Sequence, residues 1–380
     1  MEDILKVKSI YIILNTPVTP FSMSGGDKIF IKISELLVKN FNFDVTFVGC
    51  PDGINLVKNS TSVNFNYILI NNITGENKNI LLTYFLRLLF LYRVLFVRLN
   101  PNSVVISASD FITDTFPLFL LKIKYSKKAK FFTSMFLKKS LGDSLNFKDI
   151  LYFISQQLTL RISKLLKFKI LTNLIDLKYV CSFGIDKSKV IILPGGIDNI
   201  FIEGNKKIYD ACFVGRISHQ KGIDTLLDIW EVVSKNQPSL KLALVTSGNS
   251  SELENLRKEI KERNLSNNII SLGFLDNKEK YRVISNSKML LFPSRFESFG
   301  IVVAESLNFG IPVIAFDLEA LKLNFDEGIL FSKNKEEFIK NIFTILEYPS
   351  IAEKIGNSGK SFVKKYSWEK IVKNFVDNLV

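Results

Sequence analysis

The chain has 380 residues, of which 47% are hydrophobic and 23% carry a charge. That length predicts two domains, and the composition excludes a disordered or collagen-like chain. The three cysteines, Cys50, Cys181 and Cys212, have no paired spacing, which argues against a disulfide framework and predicts a reducing compartment. An acidic start without a basic lead predicts no secretion signal, so a cytoplasmic protein is expected.

The formal charge of +13 is concentrated in the first half of the chain. Residues 1–190 contain 25 Lys and Arg against 13 Asp and Glu, whereas residues 191–380 contain 25 against 24. Such an excess can attract nucleic acid, anionic lipid or a phosphorylated substrate, or it can be a solvated lysine-rich surface. Aromatic residues do not alternate with Lys and Arg, so no specific nucleic-acid interface is expected.

Short apolar runs alternate with amphipathic stretches from the start of the chain. SIYIIL, DVTFVG and SVVISAS are typical of buried strands, and the stretch carrying Ile29, Phe30, Ile33, Leu36 and Leu37 has helical spacing. This strand–helix rhythm predicts a parallel sheet covered by helices, which is a doubly wound α/β domain.

The most apolar stretch, residues 79–100, raises the question of a membrane span. Arg87 and Arg93 interrupt it, and each would be costly at the centre of a bilayer. A buried or half-buried helix is therefore favoured, and a helix resting on a membrane surface is the alternative.

The second half repeats the strand–helix rhythm after the punctuating residues of LPGG. We therefore predict an N-terminal domain over residues 1–194 and a C-terminal domain over residues 195–365, facing each other across a cleft. Residues 366–380 are expected to form a terminal helix, compatible with packing back onto the N-terminal lobe. Its apolar spacing covers Trp368, Ile371, Val372, Phe375, Val376 and Leu379.

Two cations follow a predicted strand in residues 210–222, DACFVGRISHQKG. Arg216 comes at the strand end and Lys221 just before a helix that begins near Ile223. Ligands of doubly wound sheets bind at the carboxyl ends of strands, where a helix N-terminus favours anions. The two side chains could neutralise a diphosphate, although an incidental basic surface turn has the same pattern.

A second constellation lies in residues 292–312, FPSRFESFGIVVAESLNFGIP. Glu297 precedes a helix and Glu305 lies eight residues later, inside it. Carboxylates accept hydrogen bonds from vicinal hydroxyls, as ribose and sugar recognition requires. Ser298, Phe299 and Gly300 would offer backbone amides at the helix start, although either glutamate alone would more often face solvent.

A glycine pair, Gly25 and Gly26, lies at a strand-to-helix turn in the N-terminal half. Such a turn lets backbone amides approach a phosphate or a sugar. The G-x-G-x-x-G pattern is missing, so a dinucleotide dehydrogenase is not supported.

Taken in order, these segments resemble the retaining glycosyltransferases of family 4, which have the GT-B fold of two Rossmann-like lobes. The matching pieces are SGG at 24–26, LPGGID at 193–198, GRISHQKG at 215–222, SLGF at 271–274 and ESFGIVVAE at 297–305. The resemblance spans almost the whole chain and is most specific in the C-terminal half.

The resemblance implies a retaining hexosyltransferase that moves a sugar from a nucleotide-diphosphate donor to an acceptor hydroxyl. Arg216 and Lys221 would hold the diphosphate, Glu305 the ribose hydroxyls, and Glu297 would lie by the donor sugar. The other implied donor contacts are the amides of Ser298, Phe299, Gly300 and Ile301, the residues Phe274 and Leu275 beside the base, and Gly25 and Gly26 from the opposite lobe. No metal or other cofactor is expected, since cationic side chains and a helix dipole would offset the phosphate charge.

The N-terminal lobe departs from the family at one position. Relatives often carry a histidine near the reacting sugar, but the one histidine here, His219, lies in the C-terminal phosphate loop and is expected to be a loop residue. At the expected place the sequence has Ser134 and Met135, and Asp110, which follows the preceding strand, is the substitute candidate for contacting the acceptor or donor sugar. The acceptor of the protein is expected to be a saccharide or a lipid-linked saccharide. The basic lobe would contact the inner face of the membrane, where such an acceptor is presented.

A second class of function stays open at this point, namely a catalytically weak or inactive protein that binds a nucleotide sugar or a polyanion. An epimerase of the same fold is disfavoured, because the chain lacks the histidines that such an enzyme is expected to use. A phosphorylase of the same fold is disfavoured as well, because such enzymes are much longer and no lysine here is recognisable as the one that carries their cofactor.

Overall fold

The computed structural model describes residues 9–17, 23–75, 79–139, 147–198, 200, 202 and 206–379. Two compact units divide the chain: Met1–Pro194 together with Trp368–Val380, and Gly195–Ser367. Each unit is built around its own parallel sheet.

The first unit has a seven-stranded sheet in the order β3-β2-β1-β4-β5-β6-β7, with every neighbouring pair parallel. Its strands are β1 (Ser9–Leu14), β2 (Asp44–Gly49), β3 (Asn66–Leu69), β4 (Ser103–Ser107), β5 (Ala129–Met135), β6 (Lys169–Thr172) and β7 (Val190–Ile192). All six residues of β1 are buried, as expected for a central strand covered on both faces.

Some of the helices over residues 25–182 begin at side chains that satisfy free backbone amides. Ser24 and Asp27 form a capping box at the start of α1, and Asn79 accepts a hydrogen bond at the start of α3. These helices are α1 (Gly25–Phe41), α2 (Pro51–Ser60), α3 (Ile80–Leu89), α4 (Ile112–Tyr125), α5 (Phe147–Leu165) and α6 (Leu177–Ser182).

The apolar stretch 79–100 forms α3 and a short 3-10 helix, Leu91–Phe96. Arg87 is fully buried in α3, and its guanidinium pairs with Asp52 at 2.5 Å. The same guanidinium donates to backbone oxygens of Asn15 at 2.8 Å and Pro17 at 2.7 Å. The predicted half-buried helix is confirmed, and in the described part of the chain no helix combines the length and apolar character needed to cross a bilayer.

The second unit has a six-stranded parallel sheet in the order β10-β9-β8-β11-β12-β13. Its strands are β8 (Ala211–Arg216), β9 (Leu242–Ser247), β10 (Ile269–Gly273), β11 (Leu290–Phe292), β12 (Val313–Phe316) and β13 (Ile329–Ser332). Its helices are α7 (Ile223–Asn236), α8 (Ser250–Glu262), α9 (Asn277–Ser285), α10 (Ile301–Asn308), α11 (Glu319–Asn324), α12 (Lys335–Glu347) and α13 (Pro349–Val363). Trp230 is fully buried in its core and donates to the backbone oxygen of Asn268 at 3.3 Å.

The last helix, α14 (Trp368–Leu379), belongs to the first unit, where it contacts α1. Its six apolar positions at helical spacing are all buried. Lys130 and Lys169 donate to the backbone oxygens of Leu379 and Asn378 at 2.9 and 3.1 Å, which places cations at the negative end of the helix dipole.

Both sheets reverse their winding direction once, between β1 and β4 in the first unit and between β8 and β11 in the second. The prediction of two doubly wound α/β domains is confirmed. In such sheets the crevice outside the carboxyl ends of the two central strands is where ligands bind.

Candidate functional site

The predicted cations of the second unit lie at its winding reversal. Arg216 ends β8, and Lys221 follows in the 3-10 turn His219–Lys221, directly before α7. The neighbouring strand β11 ends at Phe292 and leads into the residues around Glu297. Because β8 and β11 are parallel neighbours, these two loops emerge at the same edge of the sheet.

A close backbone contact holds the two loops together. Gly222 adopts φ 68°, and a Cβ built on it would lie 2.1 Å from the backbone oxygen of Pro293. Any other residue would meet both the strained conformation and that oxygen. The glycine of the QKG sequence is therefore required by the packing of the loop after β8 against the loop after β11.

Lys221 and Glu297 form an ion pair across these loops. Their side chains keep 19% and 10% of their surface exposed, so the pair is largely withdrawn from water. Ser294 also lies 3.3 Å from the same carboxylate oxygen, and the Lys221 ammonium lies 5.6 Å from the centre of the Phe292 ring. The structure thus joins two of the residues that the sequence singled out in separate segments.

The Arg216 side chain is exposed and, within the described residues, has neither a hydrogen-bond nor an ion-pair partner. Its guanidinium is therefore available to an anion beside Lys221. An arginine in this position can form two parallel hydrogen bonds with a phosphate.

Arg295 and Asp224, which the sequence did not single out, connect the same two loops. The Arg295 guanidinium donates to both oxygens of Asp224 at 2.8 Å, to the backbone oxygen of His219 at 2.7 Å and to Thr225 Oγ1 at 2.7 Å. Hydrogen bonding to Arg295 lowers the pKa of Asp224 from its ordinary value. His219 itself is exposed, with Nδ1 3.2 Å from Arg295 Nη1.

The start of α10 presents the backbone amides that the sequence predicted. Gly300 caps the helix with φ 90°, after Ser298 and Phe299, and Ile301 is its first residue. The Phe299 ring is buried and packs against Phe325 and Tyr366 at 5.3 and 5.0 Å between ring centres. This packing fixes the end of α10 from which the amides point.

Glu305 lies one helical turn further along α10, with a side chain only 2% exposed. Lys280 of α9 pairs with it at 2.8 Å, and the Tyr281 hydroxyl lies 3.3 Å from Oε1 and 2.9 Å from the Asp198 carboxylate. Burial, followed by the Glu305 and Asp198 charges, raises the pKa of Tyr281, so the phenol stays neutral. Asp198 is the last residue of LPGGID, and no sequence spacing connects it with α9 or α10.

Phe274 and Leu275 follow β10 and lead into α9, the helix that carries Lys280 and Tyr281. The Phe274 ring is 80% exposed, whereas Leu275 is half-buried. An exposed ring in this place is free to stack on a planar ligand.

The first unit has a cluster of its own at the reversal between β1 and β4. Gly25 and Gly26 begin α1. The Ser24–Asp27 capping box uses the backbone amides of Ser24 and Asp27, which flank the two glycines. A Cβ on Gly26 would lie 3.5 Å from the Phe136 ring. Residues 18–22 of the preceding loop lie outside the described residues.

Asp110 follows β4 and is buried. Its two oxygens accept hydrogen bonds from Tyr152 at 3.1 Å and Gln156 at 2.5 Å, both on α5. Burial raises the pKa of Asp110 to about 6, and the hydrogen bonds counteract that shift only in part. The contacts of this carboxylate therefore lie within its own unit.

In the part of the chain that the structure describes, no three His, Cys, Asp or Glu side chains come together in a group that could hold a metal ion.

Comparison with known proteins finds similar sequences and similar folds. Residues 198–362 match the family model Glycosyl transferases group 1. The matched residues include Arg216, Lys221, Glu297 and Glu305. The prediction of a glycosyltransferase relationship is confirmed at that level, while membership of family 4 stays a prediction.

Two curated relatives illustrate the similarity in sequence. An uncharacterized glycosyltransferase of Haemophilus influenzae is 27% identical over 167 residues, covering 43% of this chain and 46% of its own length. The O-antigen biosynthesis glycosyltransferase WclY of Escherichia coli is 30% identical over 177 residues, covering 44% and 46%. The chain thus spans about half the length of the curated relatives it matches.

Two solved structures illustrate the similarity in fold. A variant of S. aureus TarM in complex with fondaparinux, alpha-GlcNAc-glycerol and UDP has a TM-score of 0.73 at 13% identity, covering 98% of this chain and 99% of its own. Anabaena HepE in complex with UDP and glucose has a TM-score of 0.69 at 15% identity, covering 98% and 99%. The predicted GT-B fold class is confirmed.

Proposed function

We propose that the protein is a glycosyltransferase that takes a sugar from a nucleotide-diphosphate donor bound in its second unit. The observation that carries the proposal is the meeting of Arg216 and the Lys221–Glu297 pair at the winding reversal of the second sheet. A cationic pair beside a helix N-terminus suits a diphosphate, and a nearby carboxylate suits the hydroxyls of a sugar. The UDP complexes of TarM and HepE support a donor of this class.

Each residue of the cluster has a distinct part in the proposed donor complex. Arg216 and Lys221 bind the diphosphate, the amides of residues 298–301 lie near the phosphates and the sugar, and Glu297 orients the sugar. Glu305, held by Lys280, accepts hydrogen bonds from the ribose hydroxyls. Phe274 and Leu275 flank the base.

We propose a retaining transfer without a metal ion, as the resemblance to family 4 implies. The acceptor hydroxyl attacks the anomeric carbon from the face that the nucleotide leaves. The bond between that carbon and the phosphate oxygen breaks, its electrons depart with the diphosphate, and the hydroxyl proton passes to the leaving phosphate. Arg216, Lys221 and the amide end of α10 offset the developing negative charge.

The first unit is proposed to serve the acceptor side. Gly25 and Gly26 offer amides, and Asp110 remains the candidate for a sugar contact. Tyr152 and Gln156 each donate to one oxygen of the buried Asp110, so such a contact requires a ligand hydroxyl to reach a remaining lone pair of this carboxylate. A saccharide or lipid-linked saccharide in the cytoplasm is the proposed acceptor class.

A thermal-shift titration of the purified protein tests the donor site. UDP, GDP, ADP and their sugar conjugates are compared, since a ligand that binds the native state raises the melting temperature. We expect one nucleotide series to stabilise the protein, and Arg216→Ala and Glu305→Gln to abolish that response. Arg257→Ala, which removes an exposed arginine of α8, is the matched control and should respond like the wild type.

The second candidate function is a nucleotide-sugar or polyanion binder that catalyses little or no transfer. The observation in its favour is that Asp110 is buried and accepts hydrogen bonds from Tyr152 and Gln156 of its own unit. A nucleotide response without release of free nucleotide in the presence of acceptor saccharides would support this reading. Release of nucleotide together with a product of retained anomeric configuration, read by NMR, would support the transferase.

A further inference from the structure

The first unit exposes a group of large apolar side chains on three consecutive elements. They are Leu82, Phe85 and Leu89 of α3, Tyr92 and Phe96 of the 3-10 helix Leu91–Phe96, and Ile123 of α4. Phe96 and Ile123 are the most exposed, at 77% and 74%. An exposed apolar group of this extent on a soluble fold marks an interaction surface.

The three elements are packed against one another, so that these side chains share one outer surface. Leu91 and Val94 of the 3-10 helix are buried in the same core as Leu118 and Leu121 of α4. The Tyr125 hydroxyl at the end of α4 donates to the backbone oxygen of Val97 at 3.0 Å, just after the 3-10 helix. We name the surface formed by Leu82, Phe85, Leu89, Tyr92, Phe96 and Ile123 the apolar face.

The rotation of α3 that produces this exposure is fixed by a polar residue. Arg87 and Thr83 are the buried side chains of α3, and Arg87 is held by Asp52 and by backbone oxygens of the loop after β1. Because Arg87 must point inward, the leucines and the phenylalanine on the opposite side of α3 point outward. The exposure is therefore built into the fold and does not arise from a loosely packed helix.

The charge around the apolar face has a single sign. Between residues 79 and 139 the sequence contains ten Lys and Arg and only two acidic residues, Asp110 and Asp114. Both aspartates are buried, whereas Arg93, Lys124 and Lys127 are exposed. Residues 79–139, all of which the structure describes, thus combine exposed apolar side chains with positive charge, and neither carboxylate of that range is exposed.

We propose that the apolar face, with its surrounding cations, rests on the surface of a bilayer that contains anionic lipid. The aromatic and aliphatic side chains would enter the boundary between headgroups and acyl chains, and the cations would lie among lipid phosphates. The inference depends on the first unit alone, so it can fail while the proposed donor site holds, and the reverse.

The same charges disfavour a second copy of the chain as the occupant. In a two-fold dimer the same patch meets itself, which would bring the exposed cations of residues 79–139 of both copies together. An anionic bilayer has the complementary charge and no fixed shape to match.

A vesicle flotation experiment tests the proposal. The purified full chain is mixed with vesicles of phosphatidylcholine alone or of phosphatidylcholine with phosphatidylglycerol, at low and at high salt. We expect binding to the anionic vesicles only, weakened by salt because exposed charges are screened. If the wild-type protein does not float with anionic vesicles at low salt, the proposal is wrong.

Two pairs of variants identify the surface. Phe85→Ser with Phe96→Ser should weaken binding on the order of tenfold, because less apolar area enters the bilayer. Arg93→Glu with Lys127→Glu should weaken it at least about 30-fold, since each surface cation favours an anionic membrane. The matched controls change exposed residues of the second unit, Tyr348→Ser with Ile351→Ser and Lys261→Glu with Lys354→Glu, and should bind like the wild type.

Circular dichroism and thermal unfolding of every variant establish that the fold is kept. Equal binding by the face variants and their controls would overturn the proposal. So would a concentration-dependent dimer that is dissociated by Phe85→Ser with Phe96→Ser, because a second copy would then be what covers the apolar face.

Discussion

The two terminal nitrogens of the Arg295 guanidinium donate to the Asp224 carboxylate, one to each oxygen, both at 2.8 Å. Arg295 lies three residues after β11, and Asp224 lies in the first turn of α7. The loop between β8 and α7, which carries Lys221, is thereby fastened to the loop that carries Glu297. Arg295 is a positioning residue for the proposed donor site.

Replacing Arg295 by lysine should impair the donor site more than the fold. A lysine cannot form the two parallel hydrogen bonds, so we expect kcat/KM to fall about 10- to 100-fold. The free energy of unfolding should change by about 1 kcal/mol or less, because both partners are partly exposed. Arg282→Lys, which alters an exposed pair with Glu279, is the control, and equal activities of the two variants would contradict the positioning role.

Gly222→Ala should destabilise the second unit. The new methyl group would meet the backbone oxygen of Pro293 in a left-handed conformation, with an expected loss of roughly 2–4 kcal/mol in urea unfolding. Gly273→Ala is a matched control, since Gly273 has φ 66° but nothing within 4 Å of its Cβ position. Its loss should be limited to the conformational cost of about 1 kcal/mol, and a comparable loss in both variants would show that the contact with Pro293 contributes nothing.

Arg87→Met should be among the most damaging single substitutions in the first unit. It would leave Asp52 buried without its partner and remove donors from the backbone oxygens of Asn15 and Pro17. We expect a loss of roughly 3–5 kcal/mol in the free energy of unfolding. Arg93→Met, in the next helical segment, removes an exposed arginine and should change it by about 0.5 kcal/mol or less. A small loss for Arg87→Met would mean that Asp52 finds another partner.

The stability of the first unit should decline as the pH rises towards neutrality. Asp114 accepts hydrogen bonds from the Asn15 amide and Ser109, both at 2.6 Å, but its burial raises its pKa to about 7. The unfolded chain ionises this group near pH 4, so its contribution is complete below that pH and is lost as the pH rises through about 7.

Asp114→Asn should flatten this decline, because the amide does not ionise; its oxygen can accept from the Asn15 backbone amide, and its NH2 group can donate to Ser109 Oγ. Between pH 5 and 8 the variant should lose roughly 2 kcal/mol less stability than the wild type, measured by urea unfolding. Asp377→Asn, an exposed position in α14, should follow the wild-type curve. Parallel curves for Asp114→Asn and the wild type would refute the assignment.

Transfer activity should survive EDTA, since Arg216, Lys221 and the start of α10 are proposed to offset the diphosphate charge. The measurement is release of nucleotide from the donor with and without chelator. Loss of activity in EDTA that a divalent ion restores would assign part of this task to a metal.

Sequence patterns predicted several strands and helices and the candidate residues at strand ends. The six apolar positions of α14 are all buried, and Lys221 and Glu297 were both singled out because each follows a strand. Contacts between side chains that are far apart in the sequence could not be predicted in the same way. Arg295 and Asp224 are 71 residues apart, and their contact depends on β8 and β11 being neighbours, which periodicity along one strand does not encode.

The arginines in the apolar stretch 79–100 also allowed a correct prediction, but only in part. Arg87 indicated that residues 79–100 do not span a bilayer, but its partner Asp52 lies 35 residues away on another helix. The contacts around Glu305 were not predicted either. Lys280 and Tyr281 lie on α9, and Asp198 lies in a third segment, separate from both α9 and α10. Such contacts follow from the order of the strands, not from local spacing.

The position of α14 has a consequence for synthesis on the ribosome. The helix is translated after the whole second unit, yet it covers part of α1 in the first. During translation the surface of α1 that α14 contacts therefore stays uncovered until the second unit has been synthesised. A chain that terminates before Trp368 would leave that surface exposed to chaperones and proteases.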